Sequence, residues 1–275
     1  MNRPTAGKLL FHVVLLLGVI ASLFPFYWLI VMATGTTSDI YAYPPRLIPG
    51  GHLLDNLNTV QDAVNLPLAF LNTVVVSVLT TGLTLFFASL AGFTFAKFSF
   101  PGRNVLFVVL LLTMALPAQL GVVPSFVIMS RLQWVGTLQA LIVPGIAGAF
   151  GIFWMRQFAL GSIPQDLVDA GRVDGCNYWQ LYTNVALPLL RPALAFLGIF
   201  TFITSWNDYV WPLIVLVNPD VMTIQVALSQ LNGVYNTDYA AVMAGTLVST
   251  VPLIVIFILG SRQFIGNIAA GALKG

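Results

Sequence analysis

Few residues in this chain have the chemistry for a reactive site, and they are scattered. The 275 residues hold two histidines, one cysteine and nine acidic side chains, and all nine acids are aspartate. His12 lies in a long apolar run and His52 in a polar, Pro/Gly-rich stretch read as an outer loop. No carboxylate pair, Ser/His/Asp set or zinc-type His/Cys spacing is visible. Cys176 reads as a small packing residue and has no second cysteine with which to form an internal disulfide. The expectation is therefore no catalytic residue, no metal site and no enzymatic activity. Polar chemistry concentrates in two places. The first is Trp206-Asn207-Asp208-Tyr209, with Trp211 just beyond. Aromatic faces suit the C–H surface of a polyhydroxyl solute, and a carboxylate and an amide suit its hydroxyls. Asn72, beside Thr73, and Gln119 are weaker candidates, because such residues more often bridge helices. The second place is an acidic run, with Asp166, Asp169 and Asp174 between Gly161 and Pro192.

The elements that carry these groups are read from composition. Hydrophobic residues make up 58% of the chain and charged residues 7%, against about 45–50% and about 25% in soluble domains. A soluble enzyme and a disordered chain are excluded by that scarcity of charge. A net charge of +2 is too small for phosphate-backbone binding, so no nucleic acid is expected. A spanning helix needs about 20 apolar residues, and six such stretches occur. They are Leu9–Ala33, about Leu66–Ala96, Val105–Val123 broken near Pro117, about Leu138–Met155, Ala193–Val217 and Ala240–Gly260. Asp208 then falls within the outer half of the fifth. The first stretch is too long for a signal peptide and ends in an interfacial Phe26-Tyr27-Trp28 belt. The fold class is an all-α polytopic membrane protein, in one domain over 1–275, with core spans over about 66–260.

Charge sets the orientation. With both termini cytoplasmic, nine of the eleven cations lie inside and only Arg46 and Arg131 outside, as the positive-inside rule requires. The outer segment Thr34–Asn65 is polar and Pro/Gly-rich, and little regular structure is expected there; Pro124–Thr137 is read as an outer loop. The inner segment Gly161–Pro192 reads as two short helices. Ser162 and Gln165 have capping-box spacing, Asp174-Gly175 is a turn signal, and a second helix spans about Asn177–Leu187 before Pro188 and Pro192 end it. From physics alone this is either an amphipathic hairpin on the membrane surface or a rigid element gripped by a cytoplasmic partner.

The run Asp169-Ala170-Gly171-Arg172-Val173-Asp174-Gly175, followed by Leu187-Pro188 and Pro192, resembles the E-A-A-x-x-D-G…L-P…P signature of ABC importer permeases. Met155-Arg156-Gln157-Phe158, Ser162-Ile163-Pro164 and the segment Ser205–Ile214 are similar to carbohydrate permeases of the MalG-like type, as is the ending Gly271–Gly275. The matches spread over residues 70–275. The signature's Glu is Asp169 here, one methylene shorter, and its second Ala is Gly171, which loosens a helix.

The resemblance implies a type I ABC importer transmembrane domain that carries a sugar or sugar derivative. The loop 161–192 would couple to a separate ATPase through Asp166, Asp169, Ala170, Gly171, Asp174 and Gly175. The implied partners are a MalF-like permease, two ATPase subunits, an extracytoplasmic sugar-binding protein and the lipid bilayer. ATP and Mg would be bound by the ATPases and no cofactor by this chain, which has no G-x-x-x-x-G-K-[ST] loop. The outer segment with Asn232, Tyr235 and Asp238 would face the binding protein, and the tail with Lys274 and Gly275 the ATPase. The implied location is a bacterial or archaeal plasma membrane. An autonomous secondary transporter or channel is the competing reading, and paired broken helices with buried charges would favour it.

Overall fold

The computed structural model describes residues 6–232 and 237–272. Among them no strand occurs, and the helices run in sequence. They are α1 (Ala6–Thr34), α2 (Thr37–Tyr41), α3 (Leu53–Ala63), α4 (Leu66–Lys97), α5 (Arg103–Ala115), α6 (Val122–Arg131) and α7 (Gln139–Gly145). There follow α8 (Ala149–Ser162), α9 (Gln165–Val173), α10 (Tyr178–Gln180), α11 (Leu187–Trp206), α12 (Val210–Val215), α13 (Ile224–Ser229) and α14 (Tyr239–Ala272). Five helical stretches are long and apolar enough to cross a membrane, and up to six if α5 and α6, bent by 96°, form one broken span. The chain is therefore an all-α polytopic membrane protein. It divides into two compact units, Met1–Leu66 with Ala227–Val251 and Pro67–Val226 with Pro252–Gly275.

In the first unit, α1 is exposed at every residue from Gly7 to Tyr27, although it is almost wholly apolar. Hydrocarbon is the solvent that makes such a surface favourable. The segment after α1 departs from expectation, because α2 and α3 give it regular structure. Local hydrogen bonds explain α2: Thr36 N–H donates to Asp39 Oδ2 at 2.8 Å and Asp39 N–H to Thr36 Oγ1 at 3.3 Å, a complete capping box. The Thr36 backbone and hydroxyl donors, with Arg46 beside them, hold the Asp39 carboxyl below the usual carboxylate range. Helix α3 is anchored by buried Val60 and by Asn56, whose Nδ2 donates to Ala33 and Gly35 carbonyls at 2.9 Å. Those are carbonyls left open where α1 ends.

In the second unit, α4, α8 and α11 share one core of Phe93, Met155, Ala159, Leu190, Leu197 and neighbours, all almost fully buried. Small residues let the backbones approach. A Cβ on Gly92 would lie 2.6 Å from Met155 Cβ and 2.7 Å from the Arg156 nitrogen, and one on Gly151 would lie 3.2 Å from Ala88 Cβ.

Three expected boundaries move. The third span breaks at Leu116–Pro117 as read, but helix then continues to Arg131, through part of the expected outer loop. The fourth runs to Ser162 and is interrupted after Pro144. The fifth does not begin at Ala193. Its helix continues from Tyr178 through a π-helical segment, Leu181–Ala186, into α11, so Pro188 and Pro192 lie within it rather than ending a separate helix. Leu187 N–H donates to the Tyr182 carbonyl, five residues back. That wider turn absorbs the interruption that Pro188 would cause in an i−4 ladder.

Two glycines of α4 test this packing. Gly92→Ala is expected to lower the thermal unfolding midpoint, through overpacking of about 1–3 kcal/mol against rigid backbone. Gly82→Ala, with open space around its Cβ, should be neutral or slightly stabilising. Equal midpoints for the two variants in detergent-solubilised protein would refute the close crossing.

Candidate functional site

The acidic run forms a rigid helix–turn–helix. Helix α9 starts after Pro164, and Ser162 does not cap it. Ser162 still belongs to α8, where its hydroxyl donates back to the Phe158 carbonyl at 2.7 Å, so the expected Ser162–Gln165 capping box is not formed. Gln165 Nε2 instead donates to Asp169 Oδ1 at 3.2 Å, one turn on.

The end of α9 is closed by a Schellman motif. Cys176 N–H donates to Gly171 C=O at 2.9 Å and Gly175 N–H to Arg172 C=O at 3.1 Å, with Gly175 left-handed at φ +82°. The Asp174-Gly175 turn signal is thus a helix C-cap followed by the one residue type that adopts this φ without strain. The next helix opens at once with a capping box, in which Asn177 Oδ1 accepts from Gln180 N–H at 2.9 Å and Gln180 Oε1 from Asn177 N–H at 2.8 Å. Sequence reading overlooked this box, although its N-x-x-Q spacing is visible.

One side of the loop is anchored and the other is open. Ile163, Val168, Leu181 and Tyr182 are buried, and Tyr182 OH shares a 2.7 Å hydrogen bond with Ser89 Oγ of α4. Arg172 joins the loop to the α4–α5 turn: it pairs with Asp169 at 3.4 Å and its guanidinium lies 5.0 Å over the Phe98 ring. A cleft of about 810 Å³ lies between, lined by Phe93, Phe98, Phe100, Arg172, Tyr178 and Trp179. Outward, Asp166, Asp169, Ala170, Asp174 and Gly175 are exposed. Leu167, Val173, Tyr178 and Trp179 are exposed beside them, Val173 at 88%. A rigid, mixed acidic–apolar face that no element among the described residues covers is suited to docking.

The polar cluster after α11 is split by the fold. Asp208 does not sit in a continuous span, because α11 ends at Trp206 and α12 begins at Val210. Pro212 cannot donate to a continuing ladder, and Asp208 falls in the break between the two helices. Asp208 is half-buried and lines a cavity of about 440 Å³ with Gln119, Ser125, Leu141, Pro144 and Trp211. Two sequence candidates, Asp208 and Gln119, are therefore brought together. The others are used elsewhere. Trp206 is fully buried, stacked on Phe202 and edge-to-face with Phe70. Asn207 Nδ2 donates to the Ile203 carbonyl at 2.9 Å. Tyr209 is exposed. Asn72 Nδ2 donates to the Asp220 and Met222 carbonyls at 3.0 and 3.1 Å, and Thr73 Oγ1 accepts from Ile224 N–H at 2.8 Å; the pair holds the segment after α12.

Trp211 has a role that sequence reading did not assign. Its Nε1 donates at 2.9 Å to the Ala140 carbonyl, the group that Pro144 leaves without its i+4 donor, and Thr84 Oγ1 donates to the Gly145 carbonyl at 3.3 Å. The four-residue spacing of Ala140 and Pro144 is the signal that an external donor is needed. Asp238 caps α14, accepting at Oδ1 from the Ala240 and Ala241 N–H groups and from Thr37. Asn232 Nδ2 donates to the Ser229 carbonyl at 3.4 Å. Tyr235, Lys274 and Gly275 lie outside the described residues.

Residues 85–263 match the family described as the inner membrane component of binding-protein-dependent transport systems. The chain belongs to this family. Among curated relatives, the lactose transport system permease protein LacG of Rhizobium radiobacter is 37% identical over 252 residues, covering 92% of this chain and 91% of that one. The arabinooligosaccharides permease AraQ of Halalkalibacterium halodurans is 36% identical over 206 residues, covering 75% and 74%. The sn-glycerol-3-phosphate permease UgpE of Escherichia coli O1:K1 / APEC is 31% identical over 272 residues, covering 96% of each. In fold, the chain is similar to a bacterial ABC transporter involved in import of the acidic polysaccharide alginate, with a TM-score of 0.81, 23% identity, and coverage of 96% of this chain and 100% of that one. The protein is a MalG-like ABC importer permease, a membrane component that is not itself an enzyme.

Within this permease the Gly171 departure has a physical reason. A Cβ on Gly171 would stand 2.6 Å from Leu181 Cδ2, and Leu181 is buried. Gly171→Ala gains up to about 1 kcal/mol of helix propensity but overpacks by about 1–3 kcal/mol. It is expected to lower the unfolding midpoint of the wild-type chain and to raise it in a Leu181→Val background. A double-mutant cycle by thermal unfolding measures that reversal, and additive effects would exclude the contact.

Proposed function

We propose that this permease forms, with a MalF-like partner permease, the membrane pathway for a sugar or sugar derivative delivered by an extracytoplasmic binding protein. Two ATPase subunits hold ATP and Mg, and this chain holds no cofactor. The 161–192 loop seats on an ATPase and converts its closure into alternating access. The observation that carries this reading is the open face of α9 and its turn. Asp166 and Asp169 stand exposed beside Leu167 and Val173 on a helix whose Val168 side is fixed in the core, with Asp174 exposed at its C-cap. A surface hairpin would turn those apolar groups into the bilayer; a docking element keeps acids and apolar groups on one rigid face, as here.

Substrate class rests on chemistry and kinship. Asp208 and Gln119 offer a carboxylate and an amide to one cavity, and the relatives' names include lactose and arabinooligosaccharides. Chain 1–275 serves as one transmembrane domain, in which 9–33 is a span added before the core. Both termini are cytoplasmic in a bacterial or archaeal plasma membrane, an orientation supported by nine of eleven cations falling on one side. The segments holding Asp39 and Asp238 then face the binding protein.

In proteoliposomes containing the assembled importer, Gly175→Pro is expected to leave ATP hydrolysis in place while uptake falls about tenfold or more. Proline cannot adopt φ +82°, and a backbone misfit of this kind costs of order 1–3 kcal/mol. Asp169→Arg combined with Asp174→Arg should do the same through charge. Unchanged uptake with either variant would overturn the docking assignment. For the pathway, Asp208→Asn is expected to reduce uptake several-fold with complex assembly intact, whereas normal uptake over a normal substrate range would remove Asp208 from the route.

A further inference from the structure

Two arginines, one from α5 and one from α8, lie beside the start of α5. Arg103 opens α5, and Phe107 lies one turn on along the same face. Arg156 of α8 stands 3.9 Å over the Phe107 ring, which places it against the first turns of the helix that Arg103 opens. Among the described residues no carboxylate pairs with either. Arg103 donates to the Phe98 carbonyl at 3.2 Å and to Asn104 Oδ1 at 3.4 Å, and Arg156 to Gln157 Oε1 at 3.4 Å. These acceptors are neutral, so both charges remain uncompensated. Arg156 Nε is moreover buried without a hydrogen-bond partner. The first turn of α5 adds to the positive potential, because its N-cap, Gly102, supplies no side-chain acceptor. A cavity of about 280 Å³ opens at this turn beside Ser99, Arg103 and Asn104.

The surroundings identify the missing anion. Val105, Leu106, Val109 and Leu160 are exposed next to the pair, so a ligand here must bring hydrocarbon as well as negative charge. Guanidinium forks match phosphate oxygens in pairs. Arginines at span ends extend their stems along apolar surface towards the headgroups, and basic pockets between spans suit anionic headgroups. We propose that Arg103 and Arg156 together bind the phosphate of an anionic phospholipid, whose acyl chains lie along the exposed apolar face of α5.

The test uses the assembled importer in nanodiscs of phosphatidylcholine with graded phosphatidylglycerol, read by native mass spectrometry and thermal unfolding. The wild type is expected to retain phosphatidylglycerol in preference to phosphatidylcholine, and its midpoint to rise with the phosphatidylglycerol fraction. Arg103→Gln with Arg156→Gln should weaken retention about fivefold per guanidinium removed, which corresponds to about 1 kcal/mol for each basic residue at an anionic surface. Arg103→Lys with Arg156→Lys, which keeps the charge but not the fork, should fall between the wild type and the double-Gln variant, and Arg191→Gln, which removes an exposed cation from α11, should leave it unchanged. Equal retention in the double-Gln variant, or equal loss in Arg191→Gln, would overturn the site. If the double-Gln variant fails to insert, a wild-type midpoint indifferent to phosphatidylglycerol overturns it instead. Protection of the two arginines from phenylglyoxal that requires the ATPase and ignores lipid would also overturn it, by assigning the anion to a protein carboxylate.

Discussion

A backbone that crosses hydrocarbon must satisfy its own N–H and C=O groups, since no water is there to do so. This chain nevertheless interrupts its helices repeatedly, and the architecture follows from how each interruption is closed. The carbonyl that Pro144 leaves open at Ala140 receives the Trp211 indole N–H, and the Gly145 carbonyl receives Thr84. The ladder ahead of Pro188 widens to a π-turn through Leu187 and Tyr182. Trp211 and Thr84 reach across from other elements, so those two repairs pin the elements together. The cavity shared by Asp208 and Gln119 lies among these repaired segments, bordered by Pro144 and Trp211.

The same economy shapes the 161–192 loop. Its sixteen-residue course from Gln165 to Gln180 is closed at both helix ends by local motifs, the Schellman turn at Gly175 and the capping box at Asn177. The motifs leave little conformational freedom between α9 and α10, while Val168, Leu181 and Tyr182 fix the loop to the core. The acidic face is thus held rigidly against α4 and α11. Arg172, bonded to Asp169 and stacked over Phe98, adds a link to the α4–α5 turn.

Much of this was legible from the chain alone. Long apolar runs located the spans, Pro117 marked a break, and Asp174-Gly175 marked a turn. Misreadings arose where a local signal met a competing use of the same residue. Ser162 has capping spacing, yet α8 extends through it and takes its hydroxyl for the Phe158 carbonyl. Pro188 and Pro192 look like terminators, yet the π-turn lets the helix run through them. The polar segment after α1 looked irregular because its order comes from single hydrogen bonds, such as Asn56 to Ala33 and Gly35, which have no periodic signature.

The sequence by itself determined the class of molecule and the place where charge is kept. Both are properties of composition and of local order: scarce charge requires hydrocarbon as solvent, and a seven-residue signature fixes a helix, its cap and its turn. The tertiary structure alone decided which polar groups share a space. Asp208 and Gln119 face one cavity, Trp206 is lost to the core, and Asn72 is committed to two carbonyls. Those outcomes depend on partners distant along the chain, whose approach is set by helix crossings and by the donors each broken helix demands, and no spacing in the sequence records them.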